Sequence, residues 1–171
     1  MGKVHLLTGE PRIGKTTLLK SFIDSVGKEK CGGFVTEEWR QGDERVGFDI
    51  CTLDGKRVSF ASIFSKSRIR VGKYGIDLNA FEAIAITAID EAINLADYVI
   101  IDEIGPMQLQ SLRFKQSILD TIESSKSLLG TVVLRSHSWA DKLKQHRSVQ
   151  IYHLTKDNRN DPSQILKSLG Q

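Results

Sequence analysis

The sequence predicts an α/β protein, a mostly parallel sheet with helices on both faces and a β-hairpin insertion. Three observations carry this expectation. Apolar, β-branched runs alternate with stretches of helical periodicity along 171 residues, the pattern of parallel strands joined by crossover helices. The segment Thr8-Gly9-Glu10-Pro11-Arg12-Ile13-Gly14-Lys15-Thr16-Thr17 fits G-x-x-x-x-G-K-[ST] at every fixed position, directly after the apolar run Val4 to Leu7. A later apolar run, Asp97 to Glu103, closes on two carboxylates, as a central strand buried on both faces does when its carboxyl end faces a ligand.

Taken in order, a first strand covers about 3 to 8, and the helix-forming residues Thr17 to Ile23 follow the glycine loop. Gly32-Gly33-Phe34-Val35-Thr36 begins a second strand. Val46 to Leu53 then alternates with period two, Asp54-Gly55 is a two-residue turn, and Lys56 to Phe60 returns, so a hairpin insertion is expected over about 44–61. Residues 62–76 read as a basic, glycine-punctuated loop. From Asp77 to Ala96, Phe81, Ile84, Ala85, Ala88, Ala92, Leu95 and Ala96 recur at helical spacing and predict a helix with one buried face. After the carboxylate-ended strand come a helix near 108–126, a strand over 130–135, a short helix, a strand near 149–154 and a final helix. That last helix is bounded by Asp161 and Pro162 at its start and Gly170 at its end. The whole chain, 1–171, is expected to be one domain, long enough to bury roughly 70% of its unfolded surface.

Composition excludes several classes. Hydrophobic content of 40% and charged content of 26% are those of a globular protein. No apolar run reaches the ~18 residues of a membrane span. A strand starting almost at once leaves no room for a secretory leader. Cys31 and Cys51 form no C-x-x-C pair, which argues against zinc and suits a reducing cytoplasm. The net charge of +3 is small and dispersed, and 7% aromatics give no stacking platform, so nucleic-acid binding is not indicated.

The glycine loop has a mechanism. Gly9 and Gly14 let the backbone curl until its N–H groups face phosphates, and the following helix points its positive end at them. Lys15 reaches the β- and γ-phosphates, and Thr16 holds Mg²⁺. That Mg²⁺ needs a hard carboxylate opposite, direct or through water, and Asp102 supplies it. Glu103, one residue on, is placed to orient or deprotonate a water aimed at the γ-phosphorus. His137 ends a neighbouring strand at the same edge and is a candidate γ-phosphate sensor or a helix cap. Arg12, inside the loop, is a candidate for contacting phosphate or for pointing to solvent; Arg40, Arg45, Lys73 and Arg159 are candidates for supplying transition-state charge, and Trp39 and Tyr74 for stacking on a base.

Several segments occur together in one order: Gly9 to Leu18, Gly33 to Glu38, Arg45 to Phe48, Val71-Gly72-Lys73-Tyr74-Gly75, and Ile100 to Met107. With the late Leu154 to Asn160, they resemble the small nucleoside-triphosphatases known from thermophiles and from a human cancer-related relative. The resemblance runs nearly end to end and departs at Gln108, where an acidic residue is common in the family. It implies a RecA-like P-loop NTPase fold, hydrolysis of several NTPs to NDP and phosphate with Mg²⁺, and a monomer. It places nucleotide binding on Thr8, Gly9, Glu10, Pro11, Arg12, Ile13, Gly14, Lys15, Thr16 and Thr17, and on Tyr98, Val99, Ile100, Ile101, Asp102, Glu103, Ile104 and Gly105.

Alternatives remain open on the residues themselves. Asp102-Glu103-Ile104-Gly105 also satisfies the D-x-x-G pattern of GTPases, but no Asn-Lys-x-Asp selects guanine, so broad base specificity is expected. A small P-loop kinase would need a lid, for which the basic stretch Lys66 to Lys73 is a candidate. An NTP-gated RNA- or protein-binding module is the third reading.

Overall fold

The computed structural model describes residues 2–161 together with Ser163, Lys167 and Ser168. Chain order is β1 (Val4–Thr8), α1 (Lys15–Val26), β2 (Cys31–Gln41), β3 (Glu44–Thr52), β4 (Arg57–Ser62), β5 (Arg70–Val71), β6 (Tyr74–Ile76), α2 (Leu78–Leu95), β7 (Tyr98–Ile104), α3 (Leu112–Glu123), β8 (Ser127–Val132), α4 (Ser138–Lys144) and β9 (Val149–His153). The strands form one mixed sheet in the order β5-β6-β4-β3-β2-β7-β8-β1-β9. From β2 to β9 every neighbour is parallel; from β2 outward to β5 every neighbour is antiparallel.

Alternation along β7 explains how both faces are covered. Ile100 points to Leu19, Phe22 and Ile23 of α1. Val99 and Ile101 point the other way, to Phe81 of α2, Phe114 and Ile118 of α3 and Leu143 of α4. Fully burying side chains of this size contributes about 1.5–3 kcal/mol each, so the two apolar layers fix the sheet between helices. Asp77 caps α2 by accepting from Ala80 N at 3.0 Å, and Ser111 caps α3 by accepting from Phe114 N at 3.0 Å.

The expected hairpin is present as β3 and β4 around Asp54-Gly55. It extends a hairpin already made by β2 and β3, because β2 runs on to Gln41 and turns at Gly42. Three expectations need correction. Residues 62–76 are not simply a loop, since β5 and β6 pair as a tight hairpin through Gly72-Lys73. The strand expected over 130–135 is Ser127–Val132 instead: Gly130 lies inside it, where an added Cβ would stand 2.2 Å from the Ile101 carbonyl of β7. Leu95, expected on the buried face of α2, is 84% exposed, because the helix ends there and the chain turns toward β7. The final helix and its stop at Gly170 lie largely outside the described residues.

Candidate functional site

The parallel half ends its strands on one edge, where β1, β7 and β8 deliver their last residues to the same place. Leaving β1, the loop turns through Gly9 (φ 155), Arg12 (φ 63) and Gly14 (φ 112) before α1 begins at Lys15. Gly9 cannot carry a side chain, since a Cβ would press on the Leu154 carbonyl at 2.6 Å. Leu154 N in turn donates to Thr8 O at 2.8 Å, so the chain after β9 braces the loop from behind. The Lys15 ammonium donates to Gly9 O at 2.7 Å and Glu10 O at 2.9 Å, which fixes Nζ at the centre of the loop. Partial burial lowers its pKa, and the carboxylates of Glu103, Asp102 and Glu10 oppose that.

Asp102 is 3% exposed and receives three hydroxyls. Thr16 Oγ1 donates to its Oδ2 at 2.8 Å, Thr131 Oγ1 to its Oδ1 at 2.5 Å, and Thr36 Oγ1 to its backbone carbonyl at 2.6 Å. Burial raises its pKa against these hydroxyls and the more distant Lys15. A carboxylate buried without a salt-bridged cation, its oxygen beside the Thr16 hydroxyl, is a hard-oxygen donor pair of the kind a small divalent cation takes along with phosphates and water. No cluster of three or more His, Cys, Asp or Glu side chains that could hold a metal occurs among the described residues. The Asp102–Glu103 peptide is cis. Glu103 has its pKa pushed up to about 6, first by burial and then by the Asp102 charge, with Lys15 and Arg45 pulling it back.

A cavity of about 660 Å³ opens over these groups. Its floor is the glycine loop with Lys15, Thr16, Thr17, Asp102 and Glu103; one wall is Thr36, Glu38, Arg45, Phe48 and Val71, the other Pro106, Met107, Gln108 and Val132 to Arg135. A second hollow of about 520 Å³, near Ser65, Asp77 and Glu82, is remote from this chemistry.

The structure brings half of the expected site residues together. Gly9, Glu10, Pro11, Arg12, Gly14, Lys15, Thr16, Thr17, Asp102 and Glu103 line one cavity. Others it keeps apart. Val99, Ile100 and Ile101 are fully buried inside the sheet, and Ile13 packs with Leu7, Leu18 and Leu154. Thr8 is buried with its hydroxyl unpartnered. His137 is the N-cap of α4, its Nδ1 accepting from Ala140 N at 3.4 Å, so the cap reading holds for it. Arg159 is exposed beyond β9 and does not line the cavity. Of the cations offered for transition-state charge, Arg40 is bound to Glu38 at 2.9 Å and to the Asp43 carbonyl, and Lys73 is exposed near Glu44. Arg45, like Arg12 of the loop, lines the cavity. Trp39 packs on Phe64, and the Tyr74 hydroxyl accepts from Arg45 Nε at 3.0 Å. Arg70 donates to the Ser65 and Lys73 carbonyls, tying the basic stretch into its own hairpin.

Thr36 and Thr131, the hydroxyls that hold Asp102, were not singled out by motif. A polar residue inside an otherwise apolar strand run, as Thr131 is in Leu128 to Val133, is the signal that marks it.

A strand, glycine loop and helix facing a strand-end carboxylate across one sheet edge is the architecture of the P-loop NTPases. A family model described as NTPase matches residues 4–166, and the chain belongs to that family. It is 38% identical over 155 residues to the nucleoside-triphosphatase THEP1 of Thermotoga maritima, spanning 91% of this chain and 88% of that one. With THEP1 of Methanocaldococcus jannaschii it shares 37% identity over 156 residues, 90% and 88% of the two chains. The crystal structure of THEP1 from Aquifex aeolicus superposes with a TM-score of 0.89 at 33% identity, covering 98% of this chain and 99% of that one. The solution structure of a human cancer-related nucleoside triphosphatase gives 0.81 at 30%, covering 100% and 98%. The protein is therefore an NTP hydrolase, and family membership implies a divalent metal with the nucleotide. No helix among the described residues is long and apolar enough to cross a membrane.

Proposed function

We propose that the chain hydrolyses ATP, GTP and other NTPs to NDP and phosphate with Mg²⁺ and little selection of the base. The observation that carries this reading is the 2.8 Å hydrogen bond from Thr16 to Asp102, which joins the two halves of the site beside Glu103. With the nucleotide bound, Thr16 Oγ1 and, directly or through water, Asp102 would hold Mg²⁺, which would supply positive charge to the phosphates. Loop amides and Lys15 stabilise the charge that develops on the γ-phosphate. Glu103 takes the proton of the attacking water as oxygen bonds to the γ-phosphorus and the bond to the β-phosphate oxygen breaks. Arg45 adds a guanidinium from the opposite wall, held by Tyr74 and by Glu38 at 3.3 Å. The side facing Pro106 and Met107 includes Phe48 and Val71, apolar surfaces that accept any base face, which supports broad specificity.

The continuous sheet supports one nucleotide-binding unit over 1–171, and the free thiols of Cys31 and Cys51 suit a reducing cytoplasm. We read the protein as a monomer, which light scattering checks. The deciding experiment is phosphate release from ATP, GTP, CTP and UTP with and without Mg²⁺, run beside Lys15→Ala. The expected result is similar rates for the four with Mg²⁺, near-background release without it, and a loss on the order of 10²-fold or more in the variant. Unchanged release by Lys15→Ala overturns the site, and strong preference for one base overturns the broad specificity.

A further inference from the structure

Gln108 is 2% exposed, lines the cavity, and holds a buried side-chain oxygen with no hydrogen-bond partner. A buried acceptor left without a partner is destabilising, so its retention at a cavity wall calls for a donor brought by a ligand. Its surroundings say which donor. A Cβ added at Gly105 would lie 2.7 Å from Glu103 Oε1 and 3.1 Å from Gln108 Oε1. The missing side chain at 105 therefore leaves the two oxygens facing one small space, no more than about 6 Å apart. That bound admits one water donating both hydrogens, which with O–H···O bonds of about 2.7–2.8 Å needs acceptors roughly 4.4 Å apart.

We propose that Gln108 is a positioning residue for hydrolysis, its Oε1 taking one hydrogen of the attacking water while Glu103 takes the other. This rests on the reading of Glu103 as the base. Water held at both hydrogens turns its lone pair toward the γ-phosphorus. As the new P–O bond forms and the bond to the β-phosphate oxygen breaks, one proton passes to Glu103. The other stays on the transferred oxygen, still donated to Gln108. Gly105 contributes by leaving the space open.

The test compares Gln108→Met, similar in length but without the acceptor, with Gln108→Glu, which keeps an oxygen at the same reach. Phosphate release, ADP affinity and the pH–rate profile are measured for each, with Glu103→Gln alongside. Gln108→Met is expected to lower kcat about tenfold or more with ADP affinity and Tm kept. Gln108→Glu, which keeps an acceptor at the same reach, is expected to retain more kcat than Gln108→Met. If Gln108→Met keeps wild-type kcat while Glu103→Gln loses turnover, the Gln108 role is wrong and the base stands. If Glu103→Gln keeps full turnover with ADP bound normally, the base reading itself falls. Should Gln108→Met melt early, Gln108→Glu and Gln108→Leu are compared where both are folded: kcat kept by the glutamate and lost by the leucine supports the proposal, and equal kcat overturns it.

Discussion

The two halves of the sheet do different work with different grammar. The parallel half, β2-β7-β8-β1-β9, carries its chemistry at strand ends, where backbone loops and short motifs converge. The antiparallel wing, β3 to β6, carries its contribution on strand faces, where Val71 from β5 and, across a register shift at Val46, Arg45 and Phe48 from β3 line the cavity. Arg45 shows how the wing prepares a side chain. Its guanidinium carbon lies 4.9 Å from the Phe48 ring centre and 5.8 Å from that of Tyr74, with two hydrogen bonds fixing its plane. The Lys15 ammonium is fixed instead by main-chain carbonyls of its own loop. Lys15 is therefore placed by its own loop, and Arg45 by packing between strands.

The sharpest way to break this comparison is Glu103→Gln. If the parallel half holds the reactive chemistry, kcat falls on the order of 10²–10⁴-fold with nucleotide binding kept. Wild-type activity should also rise through about pH 6, as Glu103 loses its proton and becomes able to accept one. The same shift has a stability consequence of known sign. The folded protein holds that proton more tightly than the unfolded chain, so the ionised carboxylate costs stability above about pH 6 and nothing below about pH 4.5. Glu103→Gln should then raise stability by up to about 2 kcal/mol at neutral pH, a gain that urea melts at pH 4 and pH 7.5 separate.

Thr131→Val tests the hydroxyl cage next. It removes a donor from the buried Asp102 carboxylate while keeping shape, so a loss of about 1.5–3 kcal/mol in stability is expected by thermal melting. A neutral result means the cage is dispensable. Arg45→Ala sharpens the other side of the comparison with the smallest effect. The guanidinium is already shared with Glu38 and Tyr74, so about a tenfold fall in kcat is expected, with base selectivity unaltered. A loss as large as that of Glu103→Gln would move the reactive chemistry onto the wing.

This division also governs what the sequence reveals. Gly9 to Thr17 and Asp102-Glu103 are legible because a phosphate cradle and a strand-end carboxylate are made by neighbours in the chain. Asp54-Gly55 is legible because a two-residue turn has few solutions. Gly130 misleads because its reason is another strand: the Ile101 carbonyl lies where a side chain would go, so a residue that looks like a strand's start is its middle. Strands of two and three residues, β5 and β6, are too short to leave a period. The approach of Gln108 to Glu103 depends on the turn through Gly105, which no spacing rule encodes.

The bracing of Gly9 by the Leu154 carbonyl carries one more consequence. β1 takes both its sheet neighbours from the last third of the chain, with Val4 beside Leu128 on one side and Val149 on the other. During synthesis the phosphate loop leaves the ribosome well before the strands that flank it. The nascent chain carries the sequence of its cradle long before it owns the cradle, and gains its grip on nucleotide only after β8 and β9 have followed.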